Sequence, residues 1–228
     1  IWMDGKILPW REARVHVLTH GLHYASSVFE GERAYDGCIF RGPDHARRLI
    51  RSADILGMDV PYTVNELEQA KRDVLRANNL QTAYIRPVAW RGSEEMGVGA
   101  PNSATHVAIA VWDWPQYYAA DDAGIKLCST HWRKPDPRTM PTESKAGCLY
   151  AVGTMAKHEA HAKGCQDVMM LDYRGYVAEA TSANLFAMID GVLKTPVPDC
   201  FLNGLTRQTV LDLARTLNIP HEVCVIKP

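Results

Sequence analysis

Two hundred and twenty-eight residues are enough for one large domain or two modest ones with a substantial buried core. Hydrophobic residues at 46% and charged residues at 22% match an ordinary globular protein and exclude disorder, collagen and coiled coil. Lys plus Arg number 25 against 26 Asp plus Glu, and the formal charge of −1 supplies no chain-wide attraction for nucleic acid or acidic lipid. The six cysteines, Cys38, Cys128, Cys148, Cys165, Cys200 and Cys224, form no CxxC pair and read as reduced thiols of a cytoplasmic protein. No run approaches the ~18–20 apolar residues of a membrane span. Ile1 in place of Met and the closing HEVCVIKP look like cut ends, so a missing signal peptide says little about localisation.

The opening IWMDGKILPW predicts two short strands about an Asp4-Gly5 turn. From Pro43 to Leu56, Ala46, Leu49, Ile50 and Ala53 recur at helical steps with Arg47, Arg48 and Arg51 between them. A second helix is predicted from Thr63 to Asn78, with Val64, Leu67, Ala70, Val74 and Leu75 as its apolar stripe. Strands follow at Ala83 to Arg91 and His106 to Trp114. The polar, breaker-rich PQYYAADDAG reads as a linker, giving a small α+β domain over 1–116, an interdomain loop over 117–123 and a larger domain over 124–228. Beyond it come a strand near Ile125 to Ser129, a Pro-rich loop from Lys134 to Thr142, and a helix from about Gly147 to Lys163 closed by Gly164. Strands at Asp167 to Asp172 and Tyr176 to Glu179 flank Arg174-Gly175, another pair flanks Asp190-Gly191, and a last helix runs from about Thr206 to Leu217. Strands and helices mix without regular alternation, which favours α+β.

Lys145 lies among small residues in PTESKAGCLY, and burial there would lower the pKa of its amine and make it a nucleophile toward an aldehyde. By composition alone a solvated helix-start lysine is the favoured reading. Glu179 in GYVAEATSANLF ends an apolar strand and is placed to pair with a buried cation, or simply faces water. In NGLTRQTVLDLA a turn at Asn203 and Gly204 precedes a helix whose N–H groups at Leu205 and Thr206 favour a phosphate, although capping by Thr206 is the plain alternative. Arg48 could add positive charge there.

These signals, with HVLTHGLHYASSVFEGERAY (His16 to Tyr35) and YIRP (Tyr84 to Pro87), resemble the branched-chain amino acid aminotransferases of class IV, and the likeness runs through nearly the whole chain. The resemblance implies a two-domain fold, with a small α/β N-terminal domain and a larger domain built on a pseudo-barrel of mixed strands. It implies pyridoxal 5′-phosphate as cofactor and a ping-pong exchange of the amino group between leucine, isoleucine or valine and 2-oxoglutarate. Lys145 matches the lysine that forms the Schiff base and shuttles the proton, and Glu179 the acid that keeps the pyridine nitrogen protonated, so that the ring can act as an electron sink. Tyr150 matches a phenol near the cofactor 3-oxygen. Arg48 and Gly204, Leu205 and Thr206 match the phosphate cradle, while Thr181 and Ser182 match the loop under the ring. Ser182 stands where many relatives have glycine.

Tyr24, Phe29, Arg33, Tyr84, Arg86, Trp114 and Tyr117 match the substrate pocket, with Arg86 assigned to the side-chain carboxylate of glutamate. Met96 and Val98 match a loop that reaches the neighbouring subunit's site, which implies a dimer at least, with a hexamer left open. The resemblance also implies a further segment after Pro228 with a GTA-type turn. D-amino acid aminotransferase and aminodeoxychorismate lyase share the lysine and acid, but SVFEGERAY looks like the branched-chain group.

A non-catalytic binding protein is the alternative from another class, and keeping both Lys145 and Glu179 speaks against it. A zinc hydrolase is the second. HEAHA spaces His158 and His161 three apart instead of the four of HExxH, and Val15, Val17 and Leu18 suggest a strand or turn that would scatter His16, His20 and His23, so no metal is expected.

Overall fold

Asp4 and Gly5 turn the chain with φ of 46° and 88° and close β1 (Trp2–Met3) on β2 (Lys6–Ile7), the left-handed pair that a two-residue hairpin needs. The computed structural model describes residues 1–114 and 124–228. The proposed loop over 117–123, most of the linker string, and Tyr117 lie outside the described residues. Two compact units divide the chain: Ile1–Tyr117 with Ser144–Cys148, and Tyr118–Glu143 with Leu149–Pro228. The segment carrying Lys145 therefore groups with the first unit, although it follows the linker in sequence.

In the first unit, β1, β2, β3 (Ser27–Phe29), β4 (Glu32–Tyr35), β5 (Cys38–Ile39), β6 (Ala83–Arg91) and β7 (Thr105–Trp112) form an antiparallel sheet ordered β2-β1-β7-β6-β4-β5, with β3 also paired to β6. Helices α2 (Gly42–Ile55) and α3 (Val64–Ala77) contact it through the predicted stripes. Leu49, Leu67 and Val74 are fully buried, as are Val28, Ile85, Val107 and Ile109 of the sheet, each contributing roughly 1.5–3 kcal/mol. Thr63 starts α3 with a reciprocal capping box to Glu66. The two-residue period of β6 sends Ala83, Ile85 and Ala89 into the core and leaves Tyr84 and Arg86 together on the half-covered face.

Sequence periodicity did not reveal α1 (His20–Tyr24) or β3 to β5. The three strands are too short to show alternation, though Asp36-Gly37, which turns β4 into β5, repeats the Asp-Gly signal of the first hairpin. The expected turn is present at Val17 and Leu18, and α1 follows it from His20. His20 and His23 share that helix, but His20 is spent on Ser26 at 2.5 Å and the Gly97 carbonyl at 2.9 Å, and His23 on the Val17 carbonyl at 2.9 Å.

In the second unit β8 (Leu127–Lys134) pairs in parallel with β9 (Asp167–Asp172), and α4 (Tyr150–Ala162) crosses between them, burying Ala156 and Ala160 against Val168 and Met170. A three-residue 3-10 turn, Gly147–Leu149, precedes α4. β10 (Ala187–Ile189), β11 (Val192–Pro196) and β12 (His221–Cys224) form the other sheet, with α5 (Leu205–Thr216) joining the parallel pair β11-β12. These mixed strands agree with the expected α+β class, and among the described residues the two sheets do not close into a barrel. β8 runs on to Lys134 beyond the predicted Ser129 because β9 pairs with it that far. The expected strand over 176–179 is only single bridges: Ala178 N–H donates to the Met170 carbonyl while Met170 N–H donates to the Glu179 carbonyl, a one-residue slip that interrupts the ladder with β9.

A buried charge cluster ties helices to sheet. Lys71, 1% exposed, donates from Nζ to Glu32 at 2.8 Å, Glu68 at 2.7 Å and the Gly42 carbonyl at 3.2 Å. Two carboxylates share one ammonium, and burial pushes the Glu32 carboxyl up to about 8, with Lys71 only partly opposing. Removing the ammonium with Lys71→Met strands both acids, and denaturant titration at neutral pH should show a loss of about 3–5 kcal/mol. A change within experimental error would show that the cluster does not brace the unit.

Candidate active site

Lys145 is not a loose helix-start lysine. Its backbone N–H donates to Ser52 Oγ at 3.0 Å, its carbonyl accepts from Phe29 N–H at 3.1 Å, and the flanking Ser144 hydroxyl donates to the Ser52 carbonyl at 2.9 Å. Ala146 bridges to Val28. Helix α2 and strand β3 therefore pin the backbone on both sides, and Nζ stands 4.9 Å from the centre of the Phe29 ring.

Arg48 reaches the same unit's interior from the polar edge of α2. Its Nε and Nη2 donate to the two oxygens of Glu30 at 2.6 and 2.7 Å, and His45 Nδ1 meets the second oxygen at 2.7 Å. Glu30 is fully buried, and although burial alone would raise its pKa, the hydrogen bonds and charges of Arg48 and His45 hold it down at about 2. The guanidinium is thereby fixed in one plane. Glu30 and His45 were missed as functional residues, since a Glu inside an apolar string carries no spacing signal.

The half-covered sheet face gathers the expected pocket residues. Arg86 Nη2 donates to the Tyr84 hydroxyl at 2.6 Å, and the Arg86 guanidinium stands 4.7 Å from the Phe29 ring centre. The Tyr84 ring lies 4.8 Å from Trp114 and 5.0 Å from Trp112, and Arg33 donates to the Trp114 carbonyl at 2.8 Å. Trp112, opposite Tyr84 in the β6-β7 register, belongs to this wall and was not singled out from sequence. Gly31 is required here because a Cβ would overlap the Tyr84 hydroxyl. A cavity of about 350 Å³ is lined by Arg86, Val88, Trp90, Ala108 and Ser27, and Arg86 Nε is buried without a partner among the described residues. A larger cavity of about 670 Å³, near Pro9, Trp10 and Trp112, has no ionisable side chain and offers no chemistry. Tyr24 is exposed, its ring 4.6 Å from His20, and Met96 and Val98 are exposed in their loop.

In the second unit Glu179 is buried, with Oε1 paired to Lys134 Nζ at 2.7 Å and Oε2 accepting from Asn184 at 2.9 Å. It does not simply face water. Thr181 is buried on Asp167, which Lys157 neutralises at 2.9 Å, whereas Ser182 is exposed. Tyr150 opens α4 and is half-buried. The N-cap of α5 is Gly204, and no side chain caps it; this corrects the suggestion that Thr206 is the cap, because Thr206 already lies inside the helix. The first N–H groups and the helix dipole thus suit a phosphate. Arg207 locks that end to β11 through Thr195 and the Pro196 carbonyl, which explains the Arg of the Thr206-Arg207 pair structurally.

A phosphorylated aldehyde with a basic ring nitrogen asks for an amine, a buried carboxylate and a cationic or helix-end anion site; the first unit holds Lys145 and Arg48, and the second holds Glu179 and the start of α5. A metal fits poorly. Among the described residues one acidic and thiol group could converge, Asp172, Asp199 and Cys200, but Arg174 already bridges both carboxylates, and burial pushes the Cys200 thiol up to about 12. His158 and His161 are exposed on α4.

The sequence pattern described as amino-transferase class IV matches residues 27–228. A probable branched-chain-amino-acid aminotransferase of Rickettsia bellii is 44% identical over 220 residues, covering 96% of this chain and 75% of that protein. The crystal structure of the branched-chain amino acid aminotransferase of Escherichia coli superposes with a TM-score of 0.95 at 40% identity, over 99% of this chain and 77% of the other. Another structure of an enzyme of the same name, from Thermoproteus uzoniensis with norvaline, gives 0.95 at 38%, over 99% and 77%. A third branched-chain amino acid aminotransferase, complexed with N-(5′-phosphopyridoxyl)-L-glutamate, gives 0.93 at 38%, over 99% and 76%.

The depressed Glu30 carboxyl contributes stability that is present above the ordinary carboxylate range and is lost as pH falls toward about 2. Glu30→Gln should cost about 3 kcal/mol near neutral pH, with the gap to the parent closing in acid. Urea unfolding at several pH values checks this, and a gap that is independent of pH would contradict it.

Proposed function

From the premise that the chain belongs to the class IV aminotransferases, we propose that it transfers the amino group of L-leucine, L-isoleucine or L-valine to 2-oxoglutarate in a ping-pong sequence, with pyridoxal 5′-phosphate as cofactor. The observation that carries this is Lys145, whose backbone is pinned by Ser52 and Phe29 while its amine lies beside an aromatic ring and a carboxylate-binding arginine stands on the same face. The relatives' names supply the branched-chain substrates, and the relative complexed with a phosphopyridoxyl-glutamate adduct supports glutamate as the other donor.

The cofactor supplies an aldehyde that condenses with amines and a protonated ring that withdraws electrons from the substrate α carbon. Lys145 would hold the aldehyde and move the proton at the substrate α carbon. Glu179, paired with Lys134, would hold the proton at the ring nitrogen. Arg48, oriented by Glu30, and the N–H groups of Leu205 and Thr206 would hold the phosphate, the Tyr150 phenol would serve the 3-oxygen, and Thr181 and Ser182 would support the ring. No external oxidant enters, since one amino group leaves an amino acid and the same group returns to a 2-oxo acid.

Substrate choice follows from one pocket with two surfaces. Phe29, Tyr84, Trp114 and Tyr24 would wall the aliphatic branch, whose burial is worth ~25 cal/mol per Å². Arg86, whose buried Nε has no partner among the described residues, would meet the second carboxylate of glutamate, and Arg33 steadies the Trp114 wall. The Met96–Val98 loop of one subunit would serve the partner's pocket in a cytoplasmic homodimer, with a hexamer as the larger form. No described helix is long and apolar enough to cross a membrane.

Lys145→Ala should abolish the yellow cofactor absorbance and turnover while leaving the unfolding midpoint near that of the parent, because the clamp on residue 145 uses backbone atoms; normal turnover would defeat the proposal. With Arg86→Leu, stopped-flow half-reactions should show glutamate losing roughly a hundredfold in kcat/KM and leucine much less. Equal losses would remove the dual-substrate role.

A further inference from the structure

One amide links two parts of the second unit that the proposed chemistry uses separately. Asn184 Nδ2 donates to Glu179 Oε2 at 2.9 Å and to the Leu202 carbonyl at 3.2 Å. On the other side of the same planar group, Oδ1 occupies the space that a Cβ at Gly204 would take. Gly204 has φ −59° and ψ 140°, a conformation open to any residue, so its backbone does not require glycine. Asn184 does. A backbone bridge between Glu179 and Asn184 fixes the amide at its base, and Lys134 holds the other oxygen of Glu179.

We propose that Asn184 is a positioning residue that sets the spacing between the Glu179 carboxylate and the start of α5. This rests on the assignment of Glu179 to the ring nitrogen and of Gly204, Leu205 and Thr206 to the phosphate. The cofactor ring is rigid and its phosphate arm is short, so a protein that already holds both partners at one separation binds it without ordering them afresh. The amide performs this by donating at one end and excluding a side chain at the other.

The test is a double-mutant cycle on the full chain with Asn184→Ala, Gly204→Ala and the pair, titrating the apoprotein with pyridoxal 5′-phosphate and recording melting temperatures. Each single change should weaken cofactor binding about tenfold, the second because its methyl group pushes the amide off Glu179. With Asn184 already removed, adding Gly204→Ala should cost little more, so the two effects are not additive. Pyridoxal, which lacks the phosphate, cannot use the spacing, and its affinity should change less than about twofold. Additive losses, equal losses for both ligands, or no loss in either single variant would overturn the proposal. If Asn184→Ala does not fold, Asn184→Asp keeps the shape, replaces the donor to Glu179 with an acceptor, and should give the same loss. Glu179→Gln separates the two levels of failure. An unchanged cofactor spectrum in that variant overturns the underlying assignment, whereas an altered spectrum with additive effects at 184 and 204 overturns the spacing role alone.

Discussion

Ser52 anchors the segment that carries Lys145. Its hydroxyl accepts from the Lys145 N–H, and its carbonyl accepts from the Ser144 hydroxyl, so one helix residue holds the segment whose amine the proposed function uses. Strand β3 completes the grip through Phe29 and Val28. A lysine on an unrestrained loop would spend its time in water at full basicity; one whose backbone is fixed at the edge of a sheet can be aimed. The grip uses backbone groups and neighbours, so it holds the segment whatever the side chain at 145 does.

The second recurring device is a buried acid bound to a fixed cation. Glu30 holds Arg48 and His45, Glu32 and Glu68 share Lys71, Glu179 holds Lys134, and Asp167 holds Lys157. Taking a carboxylate out of water costs several kcal/mol, and only a well-placed cation with further hydrogen bonds offsets it. Each pair therefore enforces a geometry more than it adds net stability. In Arg48 and Glu179 that enforced geometry falls on residues that the proposed function uses; at Lys71 it falls on the seam between helices and sheet.

Much of the fold was legible in the sequence where patterns were long. The stripes of α2 and α3 and the run of β6 carry enough turns or alternations to declare themselves, and Asp4-Gly5 and Asp190-Gly191 mark their hairpins. β3 to β5 and α1 span two to five residues each and fall below what periodicity can resolve. The segment 176–179 failed differently, because its pairing with β9 slips by one residue at Ala178 and Glu179 and leaves no continuous ladder. At the candidate site, the individual signals of Lys145, Glu179 and the α5 start were each ambiguous, and only their joint order resembled a family. Glu30, Trp112 and Asn184 act through contacts with residues distant in sequence or on an adjacent turn, and no local pattern separates them from ordinary core or loop residues.

The central claim is that the amine of Lys145 carries the cofactor. Borohydride reduction of the holoprotein followed by peptide mass mapping tests it directly, since reduction turns a reversible link between aldehyde and amine into a stable bond. The account predicts the added pyridoxyl phosphate mass on the peptide containing Lys145 and on no other. The same mass on Lys134 or Lys157, with Lys145 unmodified, would contradict it.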